Sequence, residues 1–161
     1  MKRTIVIVGG VAGGASFAAR MRRLDENAVI IMLERGDYIS FANCGLPYFV
    51  SGEIDSREKL LVASPDRMQK RFGVDVRTRH EVISIDRTGR TVEVRDRNDQ
   101  HLYSQAYDAL VLSPGAQPVK PRLPGMDDSR VFCLRTVPDA QRIRILSPAR
   151  LARVAEGRVE G

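Results

Sequence analysis

The stretch TIVIVGGVAGG, residues 4–14, decides the fold. Its first five residues are mostly β-branched and apolar on both faces of an extended chain, which predicts a parallel strand buried inside a sheet. The glycines that follow allow a sharp turn and bring bare backbone close to a ligand. From Ala15 onward a helix is expected, with Ala18 and Arg22 on the same stripe. The N-terminus of that helix would present unpaired N–H groups and a positive dipole end to a phosphate.

An acidic residue closes the next apolar segment. Residues 28–33 are expected to form a second strand, and Glu34 follows it, about 20 residues after the last glycine of the turn. A carboxylate at this place accepts hydrogen bonds from a ribose 2′-hydroxyl. The pattern therefore predicts an α/β, Rossmann-like dinucleotide-binding domain, with a glycine-rich turn of some other α/β protein as the alternative. Val11 stands where the pattern has its middle glycine, so the local turn is expected to differ there.

Length and composition limit the possible classes of protein. The chain has 161 residues, of which 43% are hydrophobic and 29% charged, which suits one globular domain. The net charge is +6, but the arginines are scattered and aromatic residues are few, which argues against nucleic-acid binding. No run is long and apolar enough for a membrane span, and glycines and arginines interrupt the apolar N-terminus where a signal peptide would need continuity. With two cysteines, a reducing, cytoplasmic location is expected.

The rest of the chain predicts further strands of a parallel sheet and a small antiparallel β-meander. Ser64 suits the N-cap of a helix that reaches about Phe72, and Gly73 suits the residue after its end. Parallel strands are predicted at 74–77 and 109–112, antiparallel strands at 81–86, 91–95 and 101–105, a short strand at 131–134, and a short helix at 139–145. Residues 147–161 fit none of these patterns, and a frayed tail is expected there.

Cys44 is the residue most suited to chemistry. Small and polar residues flank it, and the following Gly45-Leu46-Pro47 can open a helix whose dipole would stabilise a thiolate. An inert buried cysteine is the alternative. Cys133 lies in an apolar segment and is expected to be a core residue. His80 and His101 have no cysteine or acid at metal-ligand spacing, so no metal site is predicted.

At residues 40–48, SFANCGLPY, the sequence resembles the single-cysteine pyridine nucleotide-disulfide oxidoreductases, and within them the coenzyme A-disulfide reductases. The glycine turn VIVGGVAGGA at 6–15 is similar too, including its valine. So are MLERG at 32–36, HEV at 80–82 and YDALVLSPG at 107–115. The resemblance covers about residues 1–145 and is most specific around Cys44.

This resemblance implies a flavoprotein with FAD along the glycine turn, its adenosine ribose on Glu34 and its adenine beside Val82. NADH or NADPH would be the reductant. The residues implied for the cofactor are Gly9, Val11, Ala12, Gly13, Gly14, Glu34, Arg35, Val82, Ser113, Pro114 and Gly115.

The resemblance also implies a redox cycle at Cys44, in which this thiol forms a mixed disulfide with coenzyme A. Two-cysteine relatives carry their second cysteine at the position of Phe49, so an external thiol or oxygen species must be the partner of Cys44 here. Related peroxide and oxygen reductases carry a histidine at the position of Ala12, which favours thiol–disulfide chemistry in this chain. Persulfide or polysulfide remains an alternative substrate. The residues that resemble coenzyme A contacts are Arg20, Arg23, Ser40 and Asn43.

Complete members of this family are longer and work as homodimers. They add a nicotinamide domain with its own glycine turn, a segment that completes the FAD site, and a dimerisation domain. Residues 1–146 are therefore expected to be the FAD/NAD(P)-binding part, followed at 147–161 by an atypical tail that suggests truncation. Two hypotheses remain open: the chain is part of a disulfide reductase, or it is a dinucleotide-binding remnant without turnover.

Overall fold

The computed structural model describes residues 2–146, so the tail predicted at 147–161 lies outside the described residues. Contacts within the chain divide these residues into two compact units. Unit 1 comprises residues 2–41 and 63–115, and unit 2 comprises residues 42–62 and 116–146. The segment with Cys44 is thus an insertion into the sequence of unit 1. That residues 1–146 act as one FAD-binding domain stays a prediction.

Unit 1 contains two sheets. Its strands are β1 (Thr4–Val8), β2 (Val29–Glu34), β3 (Val74–Thr78), β4 (His80–Asp86), β5 (Thr91–Asp96), β6 (Leu102–Ala106) and β7 (Ala109–Leu112). Four of them form a parallel sheet in the order β3-β2-β1-β7, and the other three form the antiparallel meander β4-β5-β6. The predicted fold class, a Rossmann-like parallel sheet with a small β-meander, is confirmed.

Within residues 2–146 the helices are α1 (Gly13–Leu24), α2 (Leu46–Ser51), α3 (Pro65–Phe72) and α4 (Val137–Leu146). In α3 the predicted caps are confirmed: the Ser64 hydroxyl accepts a hydrogen bond from the Arg67 N–H at 3.2 Å, and Gly73 adopts φ +58°. Arg22, on the stripe predicted for α1, donates from Nε to the Phe72 carbonyl at 2.7 Å. This arginine therefore holds the end of α3 and has a structural role.

Both faces of the parallel sheet are buried, which explains why its strands are apolar throughout. One face, with Ile5 and Ile7, belongs to a core that includes Ala15 and Ala18 of α1 and Met68 of α3. The opposite face forms a second core with the meander; its members are Val6, Ile31, Leu33, Val92 and Val94. The sheet thus lies between helices and meander, and its glycine turn is held by packing from both sides.

Unit 2 contains α2, α4 and two short 3₁₀ turns, Asn43–Gly45 and Arg57–Leu60. Helix α4 packs against α2. The Arg144 guanidinium lies 4.4 Å from the centroid of the Phe49 ring, and its Nη1 donates to the Ile54 carbonyl at 3.1 Å. This arginine therefore joins α4 to the helix that follows the cysteine turn.

The strand predicted at 131–134 is wrong. The segment is irregular, with a single turn-type hydrogen bond from the Val131 N–H to the Asp128 carbonyl at 3.0 Å. Apolar composition does not make a strand where the backbone finds no neighbouring strand to pair with. The expectation that Cys133 is a core residue is wrong for the same reason: it lies in this irregular segment and is half-buried.

Candidate functional site

The glycine turn requires glycine at two places where backbone approaches backbone. Gly9 has φ +93°, and a Cβ built there would overlap the Ser113 carbonyl oxygen. At Gly14 a Cβ would overlap the Gly9 carbonyl oxygen and lie 3.0 Å from Cγ2 of Ile7. The turn therefore brings α1, β1 and the end of β7 together more closely than any side chain would allow.

Glu34 is a buried acid whose carboxylate is held by two backbone donors. The Gly10 N–H donates to its Oε2 and the Gly36 N–H donates to its Oε1, each at 2.8 Å. Each carboxylate oxygen can accept more than one hydrogen bond, so capacity for ribose hydroxyls remains. The acid at the end of β2 is thus hydrogen-bonded to the turn after β1.

The N-terminus of α1 is suited to a phosphate. The helix has 12 residues, no side-chain cap and no acidic residue in its first turn. Its first backbone hydrogen bond runs from the Ser16 N–H to the Ala12 carbonyl at 3.1 Å, so the preceding N–H groups have no partner within the helix. Ala12 and Gly13 are exposed, and the φ of Val11 is outside the left-handed region, so valine needs no backbone strain here.

The segment after β7 borders the same turn. Its Ser113 N–H donates to the Val8 carbonyl at 2.8 Å, and a Cβ on Gly13 would lie 3.3 Å from Cβ of Ser113. Pro114 and Gly115 follow, both exposed. The turn, Glu34 and Ser113 therefore meet at the carboxyl edge of the parallel sheet, the edge at which open α/β sheets bind ligands.

Two of the predicted cofactor residues lie at other places in unit 1. Arg35 is exposed directly after β2, and its carbonyl accepts a hydrogen bond from Nη1 of Arg97 at 3.1 Å. Val82 is half-buried in β4, opposite Val94 and next to an irregularity in the pairing of β4 with β5. Val82 packs against the core that contains Val6 and Leu33, and its predicted place beside the adenine stays a prediction.

These features fit a dinucleotide such as FAD. The open helix N-terminus can bind a pyrophosphate and the buried carboxylate can bind a ribose, while the glycines of the turn allow the backbone of α1, β1 and β7 to come close together there. Among residues 2–146, no group of three or more His, Cys, Asp or Glu side chains could hold a metal ion. In the same range, no helix is long and apolar enough to cross a membrane.

Cys44 is exposed in the middle of the 3₁₀ turn before α2. The turn is closed by a hydrogen bond from the Gly45 N–H to the Ala42 carbonyl at 3.0 Å. A Cβ on Gly45 would lie 3.0 Å from Cδ2 of Leu60, so glycine packs tightly directly after the thiol. Phe49, in contrast, is buried at the position of a second cysteine in two-cysteine relatives. The geometry thus presents one thiol to solvent.

The four residues predicted to contact coenzyme A are divided between the units. Arg20 and Arg23 are exposed on α1, and Nε of Arg23 donates to the Ala19 carbonyl at 3.2 Å. Ser40 is half-buried in unit 1, whereas Asn43 is exposed beside Cys44 in unit 2. The prediction that these four residues bind one ligand stays a prediction.

A comparison with known families identifies the group to which this sequence belongs. The profile of the pyridine nucleotide-disulphide oxidoreductases matches residues 3–155. This chain is a member of that family. The glycine turn, Glu34 and the sheet edge described above all lie within the matched residues.

The relatives of this oxidoreductase chain include proteins that act on sulfur compounds. A coenzyme A disulfide reductase from Staphylococcus haemolyticus is 40% identical over 141 residues, covering 88% of this chain and 31% of that protein. A crystal structure described as reduced CoADR-RHD from Bacillus anthracis is 49% identical with a TM-score of 0.87, covering 98% of this chain and 27% of that one. A NAD-dependent persulfide reductase from A. fulgidus is 34% identical with a TM-score of 0.82, covering 87% and 27%. The chain thus spans about a third or less of these relatives.

Sequence reasoning missed two contacts of the candidate nucleotide site in this family member. Gly10 is predicted only as part of the glycine turn and Gly36 has no predicted role, yet their N–H groups hold the Glu34 carboxylate. The available signal was the glycine directly after Gly9, together with a second glycine close behind the acid. Their function depends on a contact between separate strands, which the spacing along the chain does not reveal.

Proposed function

We propose that this chain is the FAD-binding part of an NAD(P)H-dependent disulfide reductase in which Cys44 is the redox thiol. The substrate is coenzyme A disulfide or a persulfide. The observation that carries the proposal is the contrast between an exposed Cys44 and a buried Phe49. With an apolar ring in place of a second thiol, the reaction partner of Cys44 is a sulfur atom of the substrate.

The residues of unit 1 bind and orient the cofactor. Glu34 accepts hydrogen bonds from the adenosine ribose, and the N–H groups before Ser16 bind the pyrophosphate. Gly9 and Gly14 allow the close backbone packing that places these groups beside one another. Bound FAD supplies the chemistry that passes two electrons from NAD(P)H to a disulfide.

Cys44 carries the thiol–disulfide exchange. Its thiolate attacks one sulfur of the substrate disulfide, the sulfur–sulfur bond breaks, and one substrate thiolate leaves. The product is a mixed disulfide between Cys44 and the second half of the substrate. Two electrons from NAD(P)H and one proton then release that half as a thiol and restore the Cys44 thiolate. No second protein cysteine is needed at any step.

Charge favours a phosphorylated substrate. Arg20 and Arg23 present exposed guanidinium groups on α1, and arginine suits phosphate because its donors match the geometry of phosphate oxygens. Ser40 and Asn43 would complete the coenzyme A site. Replacing both arginines by alanine in the complete enzyme should raise KM for coenzyme A disulfide and leave KM for a small persulfide unchanged. Equal effects on the two substrates would contradict coenzyme A recognition by this helix.

The residue at position 12 favours a disulfide over oxygen as the oxidant. Oxygen- and peroxide-reducing relatives carry a histidine there, whereas Ala12 has no titratable group. The alternative is a polypeptide that binds nucleotide without turnover. It is supported by the sequence, which contains one glycine turn of this type and not a second one for the nicotinamide.

We propose that the working enzyme is a cytoplasmic homodimer.

The proposal is tested first by cofactor binding. The purified chain should bind FAD, seen as a shifted and sharpened flavin spectrum, and should bind NADP more weakly because Glu34 repels a 2′-phosphate. Tighter binding of NADP would overturn the FAD assignment. In a complete reductase that carries this segment, Cys44→Ser should abolish disulfide reduction, and Cys133→Ser is the matched control that should retain it.

A further inference from the structure

The segment with Cys44 leaves and rejoins unit 1 at two residues that contact each other. The Ala63 N–H donates to the Ser40 carbonyl at 3.2 Å. Within unit 2, the Ala42 N–H donates to the Leu60 carbonyl at 2.8 Å. Residues 42–62, here called the cysteine segment, are therefore closed at their base by backbone hydrogen bonds.

Ser40, whose carbonyl accepts the hydrogen bond from Ala63, is also bound to the candidate nucleotide site, through Gly10. Its N–H donates to the Gly10 carbonyl at 3.0 Å, while the Gly10 N–H donates to Oε2 of Glu34 at 2.8 Å. Two side chains also pack closely against Gly10, because a Cβ there would lie 2.7 Å from Cγ2 of Ile39 and 2.9 Å from Sδ of Met32. A displacement of Glu34 or Gly10 therefore has to move the Ile39–Ser40 backbone as well.

Ser40 has a backbone conformation that few residues other than glycine adopt. Its φ is +44°, in the left-handed region. This region is unfavourable for a residue with a Cβ, least so for asparagine and aspartate, and it persists where surrounding contacts enforce it. The hydrogen bonds to Gly10 and from Ala63 are such contacts. Ser40 is thus held under strain between the nucleotide site and the base of the cysteine segment.

We propose that Ser40 is a positioning residue that couples nucleotide binding at Glu34 to the order of the cysteine segment. The inference rests on the proposed function, since it requires a nucleotide at Glu34. Ribose hydroxyls that bind Glu34 fix its carboxylate, the carboxylate fixes Gly10, and Gly10 holds Ser40 in its left-handed conformation. Closing the base of the segment in this way restricts the motion of Cys44, so the thiol becomes ordered for reaction once the cofactor is bound.

Hydrogen exchange at two amides tests the coupling directly. The full 161-residue chain with Cys133→Ser would be measured alone, with saturating FAD, and with saturating ADP, which has the ribose and pyrophosphate but no flavin ring. Both nucleotides should slow exchange at the Ser40 and Ala63 amides about tenfold, a change typical of coupling between sites. They should also change the alkylation rate of Cys44 by iodoacetamide. The exposed hairpin turn at residues 87–90 should keep its exchange rate.

Variants at position 40 separate the backbone of this residue from its hydroxyl. Ser40→Asn tolerates the left-handed region and Ser40→Ala lacks only the hydroxyl, so both should keep the tenfold protection of the Ala63 amide. Ser40→Val cannot hold this φ without severe strain, so its protection by nucleotide should fall below about twofold. Because coupling is reciprocal, FAD affinity should fall in this variant by no more than about tenfold. If Ser40→Val fails to fold, Ser40→Asn and Ser40→Ala still show whether protection of the Ala63 amide survives without the serine hydroxyl. Loss of protection in Ser40→Ala would overturn the proposal.

The remaining outcomes distinguish this inference from the proposed function. If FAD binds and the Ser40 and Ala63 amides exchange as fast as they do without nucleotide, the proposed coupling is wrong and the FAD assignment stands. If FAD does not bind, the coupling and the proposed function are both wrong. Because ADP is also part of coenzyme A, Glu34→Ala serves as a control: it should remove the effect of ADP on both amides. An effect of ADP that persists in Glu34→Ala, or protection by FAD but not by ADP, would overturn coupling through Glu34.

Discussion

The glycine turn and the cysteine segment are built in opposite ways. In the turn, the ligand site consists of backbone groups and one buried carboxylate, each held by contacts between strands that are far apart in sequence. In the cysteine segment, the reactive atom is a single exposed side chain on a short 3₁₀ turn. The candidate binding site is therefore built mainly from backbone contacts, whereas the cysteine segment presents a single reactive side chain.

This difference predicts which property a substitution in each region should affect. Substitutions in the turn should change the fold and the proposed binding of nucleotide together, because the same contacts serve both. Substitutions of the thiol should change the chemistry and leave the fold intact, because the Cys44 side chain is exposed. The predictions below separate the two regions, from the largest expected effect to the smallest.

The largest effect is expected for turnover. A polypeptide of these 161 residues should bind FAD but should not reduce coenzyme A disulfide with NADH or NADPH. Hydride transfer needs the nicotinamide held about 3–3.5 Å from its acceptor, and the sequence has no second glycine turn to hold it. Thiol release followed by colorimetry, with a complete coenzyme A disulfide reductase as positive control, measures this. Robust NADH-dependent release by the polypeptide alone would contradict the prediction.

Gly14→Ala should cost the most stability. Its Cβ would overlap the Gly9 carbonyl oxygen, and because the obstacle is backbone, the helix or the strand must shift. We expect the free energy of unfolding to fall by about 3 kcal/mol and FAD binding to be lost. Gly13→Ala is the matched control, because its Cβ meets only the Ser113 side chain, at 3.3 Å. Urea denaturation of both variants tests this, and equal losses of stability would show that backbone overlap is not the cause.

Glu34→Ala should have a smaller effect on stability and a clear one on binding. Removing the carboxylate leaves the N–H groups of Gly10 and Gly36 without their acceptor, which should cost about 2 kcal/mol. FAD affinity should fall as well, since the ribose acceptor is gone. Glu34→Gln keeps one acceptor oxygen and should be intermediate in both respects. Thermal unfolding and a spectral titration with FAD provide the two measurements; an alanine variant as stable as the wild type would refute the supporting role of the carboxylate.

The smallest effect is the difference between the two cysteines. Cys44 is exposed and Cys133 is half-buried, so iodoacetamide should label Cys44 about tenfold faster, a difference of roughly 1.4 kcal/mol in activation free energy. Mass spectrometry of peptides after timed alkylation gives both rates in one sample. Single Cys→Ser variants confirm the assignment of each peptide. Faster labelling of Cys133 would remove the main argument for Cys44 as the redox thiol.

Much of unit 1 is predictable because short-range signals determine it. The strand before Gly9 is recognisable from its apolar run, and the caps of α3 are recognisable from Ser64 and Gly73. The meander follows from alternating residues on either side of the turn near Gly89. In each case the residues that carry the signal also form the contact, or lie within one turn of it.

The errors and omissions involve contacts that no local pattern encodes. Residues 131–134 are apolar enough for a strand, but strand formation depends on a free neighbouring edge. The role of Gly10 depends on its hydrogen bond to Glu34, which lies at the end of the neighbouring strand. The left-handed conformation of Ser40 depends on its hydrogen bonds with Gly10 and Ala63 together. A sequence shows which residues are capable of such bonds, but the partners are determined only when the sheet is assembled.

The closed base of the cysteine segment has an evolutionary consequence. Because Ser40 and Ala63 contact each other, the parallel sheet can be completed whatever lies between them, provided that the two ends still meet. Segments of other lengths and sequences could therefore be exchanged at this junction without rebuilding the sheet and its glycine turn. A lineage could retain that framework and acquire a different reactive segment by recombination at two residues that lie next to each other in the fold.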